Sequence, residues 1–485
     1  MGGSRLGSVL VALSGAALCV VGIQPAAMAA GANSGIHAGS AVQSPGPAVP
    51  GDQVWLKRFN DPANGDDSSH AVAVSPGGSK VFVTGSGSGP TSTDYVTVAY
   101  DASTGARLWL RRYNGPGEDV DFANAIAVSP NGSTVFVTGA SPGSKSSYDY
   151  ATVAYAASTG TQRWVKRYNG PGNDDDEAAA LGLSADGSRV FVTGSSAGSG
   201  TDHDYATLAY RASTGTRLWV ERYNGPGNDF DVARDVQAGP DGSTVFVTGE
   251  SNESNGIADY ATVAYDASTG AKRWVRRYDS AAHDVDSATK LAMTPNGSIL
   301  FVTGWSDGPT DSDYATLAYD ASTGTTLWVR RYNGPGDFFD FVRDIGVSPD
   351  GSTVFVTGWS FSSQTNSDYA TLAYDAATGT RLWGKRYNAP GGAEDAPNAL
   401  GVSPDGSTVF VTGVSWGGQN YDFATEAVSS STGAPLWLKR YNGPGDGFDS
   451  SEALAVAPGG STVFVTGDSY GSSSYDYATA AYAVT

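Results

Sequence analysis

The sequence predicts an all-β protein, an eight-bladed β-propeller with four antiparallel strands in each blade. The tetrapeptide Phe-Val-Thr-Gly begins at Phe82, Phe136, Phe191, Phe246, Phe301, Phe355, Phe410 and Phe464, always 54 or 55 residues apart. A tryptophan keeps the same register at Trp55, Trp109, Trp164, Trp219, Trp274, Trp328, Trp383 and Trp437. Eight copies at one period of this length mark a repeat architecture. The two ends of the repeat region supply the last observation, because they are complementary. "QVWLKRFN" (53–60) is a fourth strand without its first three, and "DYATAAYAVT" (476–485) is a third strand without its fourth. Joined, they complete one blade, close the ring and remove an open sheet edge. An open solenoid would instead need distinct capping repeats.

Within the first full unit the predicted strands are "HAVAVS" (70–75), "KVFVTG" (80–85), "DYVTVAYD" (94–101) and "RLWLRRY" (107–113). Short runs rich in Val, Tyr and Thr, bounded by Gly, Pro, Asp and Ser, read as strands. Turns such as "SPNG" and "DASTG" fit hairpins only. No segment after residue 50 shows a sustained helical period. The first strand of a blade lines the axis and the fourth is outermost. The hairpin turns just named then share one face. The second-to-third and interblade loops share the other, and their greater variation directs the search for a site there.

Ahead of the ring, residues 1–30 read as a secretory signal. Arg5 is the positive start, "LGSVLVALSGAALCVVGI" the apolar run and "AMAA" (27–30) the small-residue cleavage site. Residues 31–52 are small, polar and Pro-punctuated, a flexible linker, and the propeller occupies 53–485. The only cysteine, Cys19, lies in the signal, so the mature chain has no disulfide and no thiol chemistry. The net charge of −20 opposes nucleic acid and anionic membranes and leaves room for cations. A secreted or envelope-located monomer, with no transmembrane segment once the signal is removed, is the expectation.

The unit "DYATVAYDASTGAKRWVRRYDS" (259–280), with its following strand and "FVTG", resembles the SBBP-type bacterial β-propeller repeat. The pattern Ala-x-Asp-x-x-Thr-Gly-x-x-x-Trp, as in "AYDASTGARLW" (99–109), resembles the tryptophan-docking motif of the quinoprotein alcohol dehydrogenase-like (PQQ-like) propellers. The motif Asp is kept at Asp101, Asp266, Asp320 and Asp375 but replaced by Ala156, Arg211 and Ser429 in the other complete copies. The repeat family implies an extracellular or envelope location. The quinoprotein enzymes set a vicinal disulfide against their quinone, which a mature chain without cysteine lacks. The resemblance therefore carries over the fold, no catalytic residue and no organic cofactor.

Charged residues recur in every blade. An arginine ends each fourth strand (Arg58, Arg112, Arg167, Arg222, Arg277, Arg331, Arg386 and Arg440) and an aspartate opens each third strand. Another aspartate sits in each interblade loop, at Asp67, Asp121, Asp176, Asp231, Asp286, Asp340, Asp395 and Asp449. Arg–Asp pairs and caps on loop amides are one reading. A ring of carboxylates holding calcium, from Asp121 to Asp449, is the other.

Three matches to the Gly-x-Ser-x-Gly nucleophile elbow, "GASPG" (139–143), "GSSAG" (194–198) and "GWSDG" (304–308), share one repeat position between two strands. The elbow needs a strand followed by a helix, so these are turn composition. His37, His70, His203 and His283 lie on separate segments without zinc-site spacing, and "NDDDE" (173–177) lacks the glycine of an EF-hand loop.

What breaks the symmetry is aromatic. Beyond the eight recurring tryptophans stand Trp305, Trp359 and Trp416, at the start of second-to-third loops on blades 5, 6 and 7. Phe338, Phe339 and Phe341 crowd the loop between blades 5 and 6, and Phe361 follows Trp359. Such aromatics stack on sugars or anchor protein partners, or else pack beneath their own loops. The function expected is a non-catalytic binding or scaffold module for an extracellular glycan or protein, its patch on blades 5–7. A quinoprotein-like or other propeller enzyme with scattered residues, and a purely structural surface protein, are the alternatives.

Overall fold

A computed structural model describes residues 49–484 apart from 90, 118, 145–146, 309 and 364–365. The signal and all but the last four linker residues lie outside the described residues. Thirty-two strands, β1 (Gln53–Phe59) to β32 (Tyr475–Ala483), form eight four-stranded antiparallel sheets, and no helix occurs among the described residues. No helix there is long and apolar enough to cross a membrane.

Blade 1 is β2 (Asp67–Val74), β3 (Lys80–Ser88), β4 (Thr93–Asp101) and β5 (Arg107–Tyr113), hydrogen-bonded in that order. Its pattern repeats through blade 7. Blade 8 has the order β1-β32-β31-β30, with β30 at Asp449–Val456 and β31 at Thr462–Tyr470, so the first strand of the chain is the outermost strand of the last blade. Trp55 pairs with Ala481 and Phe59 with Tyr477 across that junction. Gly51 and Asp52 already bond to Ala483, so the pairing begins two residues before 53. First strands of neighbouring blades lie side by side, which puts them at the axis.

Each first strand starts at or beside its interblade aspartate, about three residues earlier than the hydrophobic pattern implies. A bulge between Ser69 and Ala71, repeated in every blade, interrupts the alternation that a sequence reading relies on.

The signature residues join blades as well as strands. Trp55 Nε1 donates to the carbonyl of Ala102 in the next blade's turn at 2.9 Å. The ring of Trp55 lies against Gly105, where an added Cβ would come within 2.7 Å of it. Gly105 also has φ +68°, so both backbone and neighbour require glycine there. Trp109 and Trp274 repeat the bond to Ala157 and Ala321. The docking motif is therefore a blade-to-blade lock. Its aspartate only caps the turn, Asp101 accepting from the amides of Ser103 and Thr104 at 3.1 and 3.0 Å, which explains why blades dispense with it. In Phe-Val-Thr-Gly, Thr84 bonds the buried Thr97 hydroxyl at 3.0 Å. Gly85 lies so close to the bulge that a Cβ would sit 2.0 Å from the Ser68 carbonyl oxygen.

Candidate binding site

The recurring charges make two separate sets of contacts. The fourth-strand arginine pairs with the third-strand aspartate. Arg167 reaches Asp149 at 2.9 Å, the Ser141 carbonyl at 2.5 Å and, in the preceding blade, the Tyr113 hydroxyl at 3.0 Å. The interblade aspartates are fully buried. Asp449 accepts from the Gly443 amide at 2.6 Å and the Tyr470 amide at 2.9 Å, clamping an interblade turn to the end of a second strand. Asp176 and Asp395 do the same through Gly170 with Ala197, and Ala389 with Trp416. Asp121, Asp231, Asp286 and Asp340 take the first of these bonds from Gly115, Gly225, Ser280 and Gly334.

Burial outweighs those bonds. It pushes Asp67 up to about 7 and Asp231, Asp286 and Asp340 up to about 6. An acid whose folded pKa is raised binds more protons folded than unfolded between the two values. Its stability is therefore full below the ordinary aspartate range and is lost as pH rises through the folded pKa. The melting temperature should be higher at pH 5 than at pH 8, by about 5 °C or more for a set of such groups. Circular dichroism melts across that range check the sign.

Among the described residues one trio, Asp259, Asp279 and Asp286, brings carboxylate oxygens within 4.8 Å of one another. Its exposed member has a local explanation. Elsewhere an interblade asparagine bonds the residue four positions on, as Asn224 does to Asn228 at 2.8 Å. Here Asp279 and His283 keep that contact at 2.6 Å with donor and acceptor exchanged, and Asp279 raises the His283 pKa.

Blades that share so much differ at the inner mouth of the loop-bearing face. At three seams the residue after Phe-Val-Thr-Gly contacts the second residue of the next blade's first strand. Between blades 8 and 1 this contact is polar: Asp468 accepts from the Ser68 hydroxyl at 2.7 Å and the Ser69 amide at 2.9 Å. Glu250 accepts from the Ser287 hydroxyl at 2.8 Å and pairs with Arg234 at 2.6 Å. Between blades 5 and 6 it is aromatic. Trp305 meets Phe341 edge-on at 5.6 Å, and Phe341 meets Trp359 edge-on at 6.2 Å. Phe339, 53% exposed, stacks on Phe341 at 6.0 Å.

Trp305 and Trp359 thus lie within strands, β19 (Ile299–Asp307) and β23 (Thr353–Ser363), rather than opening loops as their sequence position implies, and both are half-buried. Trp416 stands apart: it ends its own strand and packs edge-on against Tyr421, which contacts Phe448. Phe338 and Phe361 are half-buried, the Phe361 amide bonding the Phe339 carbonyl at 3.3 Å. The structure therefore joins Trp305, Trp359 and Phe339 through Phe341 and leaves Trp416 in a second cluster.

Sequence reading missed the charges beside this patch. Asp235, Lys290 and Asp344 occupy a first-strand position that is Ala71, Ala125, Ala180, Ala399 and Ala453 in the other blades. Asp235 and Asp344 brace the next blade through the Leu291 and Leu400 amides, at 3.1 and 2.7 Å. Lys290 lies between them, its pKa raised chiefly by the charge of Asp235. Arg343 was missed too. It is exposed, with its guanidinium over the Trp359 ring at 4.5 Å. A charge in three consecutive blades where the column is otherwise alanine was the available signal.

The mouth combines an aromatic cluster, an arginine over the Trp359 ring and carboxylates flanking Lys290. An eight-bladed β-propeller closed by its first and last strands is the class this geometry defines. The chain belongs to the PQQ-like propeller superfamily: a family model described as outer membrane protein assembly factor BamB matches residues 92–274 and 209–358. No curated protein matches the chain. Among solved structures it is similar to Chaetomium thermophilum Sqt1 bound to the N-terminus of a ribosomal protein (TM-score 0.59, 11% identity, 89% of this chain and 100% of that one). It is also similar to a quinohemoprotein alcohol dehydrogenase from Pseudomonas putida (0.51, 13%, 89% and 76%) and to Kuenenia stuttgartiensis hydrazine synthase (0.50, 15%, 75% and 95%). At these identities the likeness concerns the fold. The chain's one cysteine, Cys19, precedes the ring, so the ring offers no disulfide to a quinone.

Proposed function

We propose that this protein is an exported, non-catalytic binding or scaffold ring of the cell envelope, recognising a partner at the loop-face mouth of its axis around blades 5 and 6. One observation carries this reading. Eight blades with the same locks and clamps diverge in chemistry at the mouth, and blades 5 and 6 place Trp305, Phe341, Trp359 and exposed Phe339 there in mutual contact. Aromatic clusters beside an arginine are the residue types that dominate binding energy at interfaces. The envelope-associated family and a similar propeller seen with a peptide segment agree with it.

Peptide and glycan arrays probed with the parent protein and with a Trp305→Ala, Trp359→Ala double variant test the proposal. The parent is expected to bind a defined set, and the double variant to lose about 2 kcal/mol or more of affinity, roughly thirtyfold, while remaining folded. Equal binding by the two proteins sinks the reading. Dye-linked oxidation after addition of quinone and calcium would replace it with the quinoprotein enzyme.

A further inference from the structure

Resting on that reading, the geometry points to a carboxylate as the group the mouth recognises: the free C-terminal carboxylate of a peptide ending in an apolar residue, bound by Arg343 beside the Trp359 and Phe341 rings. The argument starts from the seam between blades 6 and 7. At the neighbouring seam Trp305 meets a phenylalanine from the next blade. At the equivalent position the next blade carries Ala396, whose methyl group offers no ring to Trp359. Two hydrogen-bond donors are left there without acceptors. The indole Nε1 of Trp359 is buried with no partner among the described residues. The Arg343 guanidinium lies over the same ring and has no carboxylate or carbonyl bonded to it among the described residues. Native structures rarely leave donors unpaired unless a ligand or water completes them.

Two donors select an acceptor, and a guanidinium selects an anion. The charged groups facing it set which anion. Asp344 adjoins Arg343 on the same strand and is engaged by the Leu400 amide at 2.7 Å, and Lys290 is flanked by Asp235 and Asp344. Loss of water around the guanidinium lowers the Arg343 pKa, and the charge of Glu452 from blade 8 opposes this. A chain of net charge −20 repels polyanions, so one carboxylate fits where a phosphorylated or sulfated polymer does not. The rings decide the rest of the ligand. One face of Trp359 is covered by Arg343, and Trp305 and Trp359 are both engaged by Phe341, which leaves less open indole for stacking on a sugar. The exposed Phe339, stacked on Phe341, offers apolar surface for a side chain next to the carboxylate.

Isothermal titration of the full mature protein with N-acetyl-L-phenylalanine, its C-terminal amide and glucuronate tests this. The acid should bind saturably and the amide at least about tenfold more weakly. Arg343→Gln should reduce the acid to the amide's level without lowering the melting temperature, and Arg343→Lys should restore part of the difference. Equal binding of acid and amide overturns the inference, as does absence of binding by either. Glucuronate binding as tightly as the peptide acid overturns it in favour of a uronic sugar. If Arg343→Gln keeps the array partners that Trp305→Ala, Trp359→Ala loses, the carboxylate falls while the aromatic site stands.

Discussion

A chain that begins at residue 61, lacking β1, is expected to lose more than about 5 kcal/mol of stability, comparable with the whole stability of a typical domain. The loss has three sources. Trp55 and Phe59 are buried, and each large ring withdrawn forfeits about 2–3 kcal/mol of burial. Arg58 ties Asp476 at 2.6 Å, the Ser469 carbonyl at 2.9 Å and the Tyr441 hydroxyl of blade 7 at 2.8 Å. Without it Asp476, which is buried, is an unpaired charge. Finally β32 becomes an open edge, its backbone groups available to another chain. The truncated protein should melt far below the parent and associate at concentrations where the parent does not. A synthetic peptide spanning 49–61 should restore part of the transition, because the junction needs pairing and not covalent continuity. Melting within a few degrees of the parent would mean that seven blades hold the ring without a closed eighth.

The ring was legible because the residues that make it are the ones that recur. Trp55, Gly105, Thr84 and Gly85 each answer one geometric need, and that need returns once per blade, so identity of sequence reports identity of contact. Strand starts were less legible: polar Asp67 and Ser68 precede a bulge, and neither alternation nor hydrophobicity marks them as strand. The mouth was hardest to read for a related reason. Lys290 and Asp344 look like ordinary surface charge until the blades are aligned and their column proves to be alanine outside blades 4 to 6, whereas the column of Arg343 also holds His70, Arg234 and Glu452 and so does not single it out. Trp305 and Trp359 were visible through their rarity. That Trp416 joins a different cluster was not, because it sits two residues further along its strand than they do, and successive offsets change which neighbour a side chain meets.

The same column-by-column comparison identifies the other site of large expected effect, inside the ring wall. Seven blades place Val, Leu or Ala at the fifth residue of the third-strand signature, and blade 7 places Glu426 there, 3% exposed. Lys385 of blade 6 forms a short ion pair with it. Two neighbouring changes make room. Gly384 replaces the Val or Leu of the other fourth strands, and Lys385 turns inward where Arg111, Arg276 and Arg330 bond the next blade's turn carbonyls. Lys385→Ala should cost about 3–5 kcal/mol, because it leaves a desolvated carboxylate without its cation. Burial already raises the Glu426 pKa, with Lys385 opposing. Removing the lysine raises it further, so protonation must relieve the variant. Its deficit relative to the parent should shrink as pH falls toward the ordinary glutamate value of 4.5 and grow as pH rises. Lys385→Met with Glu426→Leu should recover the parent's stability or exceed it by about 1–4 kcal/mol, since well-packed apolar residues avoid the desolvation cost of both charges. Urea denaturation of the three proteins at pH 5 and pH 8 separates these terms. If Lys385→Ala and the double variant are equally destabilised at both pH values, the loss comes from packing around Gly384 and the charges contribute nothing.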